Sequence, residues 1–393
     1  TFVENKPYVS KEELLEYNGF CQLLPGASSS QVLTLIGYKR GGVLLAVITL
    51  LIWILPASIF MGAFSFLLHY LDNRAMEKVF KFIPAMAAGF LLYASSIAFR
   101  LSIKNTITWV IMISCAVLTY VFFKQPWIFP VLIIAGGIAT NISRKRIPQL
   151  EQKPKKIRWW NFWAFGLIFI IAGFLSERAR IEKWPDEARR PVSLFENTYR
   201  MGGIVFGGGQ VLMPMMYEQF SIRPESVRDK FKKKGIAIDS GEYAGVIQID
   251  KDEMYTGMGV VRAVPGPVFS IGAFAGGMAM KDLGTSMQLL GCLIGMFAIF
   301  LPSALLVLFF FPVWNNLKKY AAIYRSQEGI NAVVVGIMIA STVYIMKDIS
   351  LTELKTVSFV NVGVILATFL LLRFTRIYSP FIVIGCLLLG YFF

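Results

Sequence analysis

Two Pro-Gly dipeptides are the places where this chain is best suited to hold a ligand. Pro25-Gly26 (the first break) and Pro265-Gly266 (the second break) each separate two weakly apolar segments and adjoin small or polar residues. Proline removes a backbone donor and clashes with the preceding helical turn, while glycine allows dihedral angles that other residues avoid. A helix that starts after such a break directs unpaired N–H groups and a positive dipole end outward, which suits an anion.

A run of glycines and one arginine extend this candidate site. Three consecutive glycines offer a further patch of accessible N–H groups, and Arg262 is the only basic residue within three positions of a break. A guanidinium matches a tetrahedral oxyanion in a forked geometry. We therefore predict a substrate-binding set of small, polar and cationic residues at the two breaks: Gln22, Pro25, Gly26, Ser28, Gln31, Gly207, Gly208, Gly209, Arg262, Pro265, Gly266, Pro267 and Ser270.

Each of these features also has a purely structural interpretation. The breaks could be helix kinks, and the glycines could permit close helix packing. Arg262 could pair with Glu196 or another carboxylate, although Glu196 and Arg200 lie four residues apart and are expected to form a local ion pair. We favour ligand binding because the two breaks and the glycine run occur together.

The remaining reactive residues argue against an enzyme. There is one histidine, and the four cysteines have no metal-ligand spacing. We therefore predict no catalytic residue, no metal site and no cofactor. A membrane-embedded enzyme acting on lipid through Ser28 or Glu196 is the weakest alternative.

The composition places these residues in a membrane. Hydrophobic residues make up 56% of the 393 residues and charged residues only 16%, against about 25% in soluble domains. The net charge of +15 lies mostly between apolar segments, where it either sets orientation and meets anionic lipid or attracts an anionic solute. The apolar segments exclude a soluble nucleic-acid-binding protein. Segments that approach the length needed to cross a ~30 Å hydrocarbon core are 43–68, 82–99, 107–123, 127–142, 286–311, 329–346, 357–372 and 377–393.

An internal repeat organises these segments. The polar stretch from Ser10 to Glu13 precedes Pro25 by the same distance as the stretch from Asp250 to Glu253 precedes Pro265, and each opens with a helix-start pattern. Farther on, Leu55-Pro56-Ala57-Ser58 matches Leu301-Pro302-Ser303-Ala304, and we call these the two Leu-Pro elements. The sequence therefore predicts an all-α polytopic membrane protein of two homologous halves.

The repeat also predicts the division of the chain. We expect a first transporter repeat over residues 1–142, a charged linker over 143–194, and a second repeat over 195–393. The leading helix of the first repeat is missing from this sequence, either because that copy lacks it or, as we favour, because the natural N-terminus is truncated. The segments flanking each break, 11–24 with 27–38 and 251–264 with 268–281, are about 14 residues long, or ~21 Å as helices. Because that is too short to cross a bilayer, we predict two re-entrant hairpins whose tips meet near the midplane.

The relative orientation of the halves depends on one segment of the linker. If residues 159–175 lie in the membrane interface, the second half is inverted; if they span the bilayer, the halves are parallel. We predict inverted repeats, because broken helices at a central site are typical of carriers built that way.

These motifs, in this order, resemble the chromate ion transporter family in its long-chain form with two homologous halves. The matching pieces are Phe206-Gly207-Gly208-Gly209, Leu212-Met213-Pro214, Val264-Pro265-Gly266-Pro267 and Leu301-Pro302-Ser303, with Leu24-Pro25-Gly26, Gly37-Tyr38 and Leu55-Pro56-Ala57-Ser58 in the first half. The resemblance runs from about residue 8 to the end. Two departures are Ala27, where the family favours a second proline, and the missing leading helix of the first half.

The resemblance implies export of chromate across the cytoplasmic membrane, driven by an electrochemical gradient. The sequence carries no P-loop motif, which agrees with a secondary carrier. The expected partners are an inorganic oxyanion, chromate or alternatively sulfate, and the lipid bilayer of the plasma or inner membrane, with a homodimer left open. A sulfate-like oxyanion carrier and an anion channel are the alternatives in function.

Overall fold

A computed structural model describes residues 8–9, 11–22, 24–70, 80–123, 128–141, 159–206, 209–233, 246–317, 321–348, 356–375 and 377–392. Within these ranges the regular structure is helical and no strand occurs. The helices of the first half are α1 (Lys11–Gln22), α2 (Ser28–Tyr70), α3 (Ile83–Ser102), α4 (Thr106–Val121) and α5 (Ile128–Asn141). The predicted all-helical fold and the apolar segments of this half are confirmed.

The second half repeats this order after four intervening α-helices. These are α6 (Trp160–Ile181), α7 (Asp186–Ile204) and α8 (Gly209–Tyr217), followed by a π-helical turn (Glu218–Ile222) and α9 (Arg223–Lys233). The repeated helices are α10 (Lys251–Val260), α11 (Ile271–Ala279), α12 (Thr285–Leu317), α13 (Ala321–Asp348), α14 (Thr356–Phe374) and α15 (Ser379–Phe392). Short 3₁₀ turns, Val268–Ser270 and Lys281–Leu283, flank α11.

Helix α2 consists of two helices, and these agree with the two segments predicted there. Gly41 and Gly42 have non-helical dihedral angles, and Gly42 has a φ of 67°, which only glycine adopts readily. The part 28–40 therefore corresponds to α11, and the part 43–70 corresponds to α12. Asp250 caps α10 as predicted, since its side chain accepts a hydrogen bond from Asp252 N at 2.9 Å. The matching Ser10 lies outside the described residues.

The two halves are interleaved. Helix α3 of the first half packs on α13 and α14 of the second, and α13 packs on α4 and α5 of the first. Small residues permit these contacts, as where Gly336 leaves no room for a side chain against the backbone of α4 at Met112. Elements from both halves can therefore meet at one site.

Five helices of the described part are long and apolar enough to cross a membrane, and one of them is α6. Helix α6 runs to Ile181, six residues beyond the predicted segment, because ion pairs stabilise its last turns: Glu177 with Arg180, and Arg178 with Glu182 at 2.7 Å. Large apolar side chains such as Trp160 and Ile170 are exposed on it. This exposure is typical of a surface that faces lipid, and the protein is a multi-pass membrane protein.

Candidate functional site

Each break lies at the far end of a pair of helices that are joined at their other ends. In the first half, Lys39 near the end of the part 28–40 pairs with Glu13 in the first turn of α1, with 2.6 Å between Nζ and Oε1. In the second half, Lys281 after α11 pairs with Glu253 in the first turn of α10. The two helices of each pair therefore lie side by side, with a Pro-Gly break at the turn.

The first break packs against the second half. Gly26 has a φ of +117°, and its N–H donates to the carbonyl of Val205 at the end of α7, with an N–O distance of 2.6 Å. A Cβ atom built on Gly26 would overlap the hydroxyl of Ser303 and lie 2.6 Å from its Cβ. Gln31 closes the turn, because its Nε2 donates to the Pro25 carbonyl at 2.8 Å. The first break thus contacts the Leu-Pro element of α12.

The second break makes the equivalent contact with the first half. Gly266 has a φ of +148°, and a Cβ atom built on it would lie 2.5 Å from Ala57 Cβ, in the Leu-Pro element of α2. Ala57 is the repeat counterpart of Ser303. Each break therefore packs against the Leu-Pro element of the opposite half.

Helix α7 runs toward the two breaks, and α8 runs back from them. At its first turns α7 pairs with the end of the second hairpin, since Arg190 Nη1 lies 2.6 Å from Asp282 Oδ1. At the start of α8, Gly209 faces Val268, next to the second break. By the end of α8, Tyr217 stacks on Tyr255 in α10 with 4.7 Å between ring centroids. The end of α7 therefore lies at the first break, through Val205, and the start of α8 lies at the second break, through Gly209.

Several buried polar atoms of this region have no hydrogen-bond partner among the described residues. In the first turns after the breaks they are the hydroxyls of Ser30 and Ser270 and Oε1 of Gln31. In the Leu-Pro elements they are the hydroxyls of Ser58 and Ser303. A buried polar atom that is left unpaired costs about 1–3 kcal/mol. Unpaired buried atoms of this kind indicate positions that a ligand or water completes.

Arg262 lies in the turn that follows α10 rather than inside a helix, because α10 ends at Val260, earlier than predicted. Its Nη2 lies 3.5 Å from the sulfur of Met213 in α8. The arginine lines a cavity of about 410 Å³ between α3 and the second break, together with Gly266 and Val268. The cavity therefore provides space for a ligand beside Arg262.

Glu196 is not the partner that the structural interpretation of Arg262 required. Its Oε1 lies 3.1 Å from Nε of Arg200, so the predicted local pair along α7 is confirmed.

The structure brings most of the predicted site residues to this region, with different exposures. Pro25, Gly26, Gln31, Gly209, Arg262, Gly266 and Ser270 make the contacts just described or lie beside them. Ser28 begins α2 and is partly exposed, Pro265 is exposed, and Pro267 is buried before the 3₁₀ turn. Gly207, Gly208 and the side chain of Gln22 lie outside the described residues.

Four polar residues of this region were not predicted as site residues. Ser30, Ser58 and Ser303 are buried serines within apolar helices, and Glu218 follows an apolar run. The repeated Leu-Pro element was a usable signal for Ser303, since it occurs at matching places in both halves. No cluster of metal-ligating side chains occurs in the part of the chain that the structure describes.

Glu218 is a buried carboxyl in the π-helical turn after α8. Only 1% of it is exposed, and its Oε1 has no hydrogen-bond partner among the described residues. Burial raises the pKa of this carboxyl to about 7, although the charges of Arg223 and Arg200 oppose the shift. Short π-helical turns often mark functional positions. Glu218 lies outside the five long apolar helices.

Glu218→Gln should make the stability of the protein less dependent on pH. Burial disfavours the charged carboxylate, so the folded parent loses stability as the pH rises from about 4.5 toward the folded-state pKa of about 7. The loss should be on the order of 3 kcal/mol, and the neutral glutamine should avoid it. Melting temperatures of the purified protein between pH 4.5 and pH 8 measure the effect.

The control for this prediction is Glu225→Gln. It removes a partly exposed carboxylate paired with Lys251, and it should leave the pH profile close to that of the parent. Identical pH profiles for Glu218→Gln and the parent would contradict the predicted shift.

The sequence of this chain is similar to those of known proteins. Residues 1–141 and 245–391 match the sequence model of a family described as Chromate transporter. The Chromate transport protein of Cupriavidus metallidurans is 22% identical over 391 residues, which cover 99% of this chain and 85% of that protein. An uncharacterized transporter of Methanocaldococcus jannaschii is 21% identical over 347 residues, covering 87% of this chain and 76% of that protein. No solved structure matches.

Proposed function

This chain belongs to the chromate transporter family, and we propose that it exports a tetrahedral oxyanion, chromate in the first place, across the plasma membrane as a secondary carrier. Family membership supports a transporter with an anionic substrate. The observation that carries the proposal is the meeting of the two breaks with the Leu-Pro elements of the opposite halves, beside unpartnered buried hydroxyls. Sulfate has the same charge and shape and is the second candidate substrate.

We infer that the two helix pairs are re-entrant hairpins of opposite orientation. The first pair ends at Lys39, next to the start of the part 43–70 of α2. The second pair packs along that same part with its break, at Gly266, against Ala57. Toward the base of this pair, Gly277 lies against Ser65, so its base faces the opposite end of the part 43–70. If the part 43–70 crosses the bilayer, the two hairpins enter from opposite sides, as inverted repeats require.

A membrane-spanning α6 is compatible with this inverted arrangement. The sequence argument for parallel halves assumed that residues 195–217 cross the membrane once. Instead, Arg190 in the first turns of α7 pairs with Asp282, and Tyr217 at the end of α8 stacks on Tyr255. Asp282 and Tyr255 both lie at the base of the second hairpin. Because α7 and α8 together enter and leave on one side, a spanning α6 still leaves the second half inverted.

The site chemistry suits a dianion. A chromate ion leaves water only where fixed donors replace its hydrogen bonds. Here the donors are the serine hydroxyls, the N–H groups at the start of α2 and α11, and the guanidinium of Arg262. An anion channel would use the same donors, so transport kinetics have to distinguish a carrier from a channel.

Transport should need a gradient and no nucleotide. Purified protein in sealed proteoliposomes is expected to take up radiolabelled chromate when a membrane potential or a pH gradient is imposed in the absence of ATP. Protein-free liposomes treated identically are the control. Uptake that required ATP and ignored every imposed gradient would contradict a secondary carrier.

A further inference from the structure

The two breaks differ in the side chains that accompany them. At the first break the opposite Leu-Pro element presents the hydroxyl of Ser303 against Gly26, whereas at the second break it presents the methyl group of Ala57 against Gly266. The basic residue accompanies the second break, because Arg262 precedes that break and the neutral Gln22 stands at the matching place before the first. The first break therefore has hydroxyls but no basic residue close to it in the sequence, whereas the second has hydroxyls and Arg262.

We propose that Ser303, together with Ser30 and Gln31, forms a second oxyanion-binding subsite at the first break, separate from the subsite at Arg262. The proposal rests on the oxyanion transport proposed above and adds a place where the anion is held by neutral donors.

The hydroxyls at the first break are free to donate to a ligand. Buried serines in helices commonly donate to the carbonyl four residues earlier, as Ser341 does to Ile337 at 2.7 Å and Ser95 does to Leu91 at 2.7 Å. Ser303 and Ser30 are each 2% exposed, yet neither hydroxyl has a hydrogen-bond partner among the described residues. Each of these hydroxyls therefore keeps an unused donor for a ligand oxygen.

The surroundings of Ser303 favour an anion over other ligands. Ser30 lies in the first turn of α2, where backbone N–H groups and the helix dipole favour negative charge. Gln31 uses one N–H on the Pro25 carbonyl, and its amide has a second N–H to offer. Gly26 has no side chain, so the hydroxyl of Ser303 can lie directly against the break. Because no formal charge contributes, this subsite should hold the anion less tightly than the subsite at Arg262.

Two unequal subsites suit a carrier. An anion held at Arg262 alone would be slow to leave, because the guanidinium adds an opposite charge and a forked pair of hydrogen bonds that a hydroxyl does not supply. A neighbouring subsite of neutral donors lets the anion move on without returning to water. The anion would then pass between the halves from one break to the other.

Chromate binding to purified protein tests the role of Ser303. Isothermal titration of Ser303→Ala with sodium chromate should show binding weakened about tenfold to a hundredfold, because a hydrogen bond to a charged ligand is lost. Ser303→Cys, which keeps nearly the same volume but donates weakly, should also bind less tightly and guards against a folding defect. The matched control is Ser341→Ala, which removes an equally buried hydroxyl that already has a partner.

The outcomes separate this proposal from the proposed function. Chromate binding by both Ser303 variants at the affinity of the parent would overturn the subsite and leave transport standing. Weakened binding in both variants, with an unchanged Ser341→Ala, would support the subsite even if the parent failed to move chromate in liposomes. A folded parent that bound neither chromate nor sulfate would overturn the subsite and the proposed function together.

Discussion

Replacing Arg262 by glutamine is expected to remove most chromate binding and transport. The arginine lines the cavity at the second break. It is the only basic residue in the sequence within three positions of a Pro-Gly dipeptide. Truncating one partner of a buried charged pair costs on the order of 2–5 kcal/mol. Arg262→Lys keeps the charge but loses the forked geometry, so it should weaken binding less than Arg262→Gln.

The measurements for Arg262 are chromate affinity and initial uptake rate, after circular dichroism has shown that the variants are folded. Arg100→Gln is the matched control, because it removes an exposed arginine at the end of α3. If folded Arg262→Gln bound and transported chromate like the parent, the arginine would be structural. The site would then rest on backbone N–H groups and serine hydroxyls.

Gly26→Ala should disrupt the contact between the halves. Gly26 has a φ of +117°, which side-chain-bearing residues rarely adopt, and a Cβ atom there would overlap the hydroxyl of Ser303. Strain and overpacking together should destabilise the protein by on the order of 2–5 kcal/mol. Relieving the overlap would pull the break away from Val205, whose carbonyl accepts from Gly26 N–H. We therefore expect a lower melting temperature and a loss of chromate uptake.

Gly173→Ala is the control for this substitution. It lies in α6 with open space around its Cα, so a methyl group meets nothing within 4 Å. Alanine in a helix is also favoured over glycine, which should keep or raise the melting temperature. A Gly26→Ala variant as stable and active as Gly173→Ala would show that the first break does not need its observed geometry.

The apolar segments and both breaks could be predicted from the sequence because they follow from strong local preferences. Hydropathy alone placed α3, α4 and α12 to within a few residues. The Pro-Gly dipeptides interrupt helices wherever they occur, and Gly26 and Gly266 indeed have positive φ values. These features depend little on the rest of the chain.

The parts that sequence reasoning missed depend on contacts between the halves. Ser303 lies in the middle of an apolar helix, and only the packing of Gly26 against it distinguishes it from other buried serines. The return of α8 toward Tyr255 depends on stacking with Tyr217, which no spacing along the chain encodes. Glu218 resembles an ordinary helix-ending residue until its burial in the π-helical turn is known.

Counterflow in proteoliposomes is the most direct measurement of the central claim, that one oxyanion site is reached alternately from the two sides. Liposomes are loaded with concentrated unlabelled chromate and diluted into a trace of radiolabelled chromate, with the membrane potential clamped at zero. A carrier should accumulate the label transiently above its outside concentration, because unlabelled chromate leaving the vesicle returns the site to the outside. Label that only equilibrated, without an overshoot, would contradict the carrier and indicate a channel.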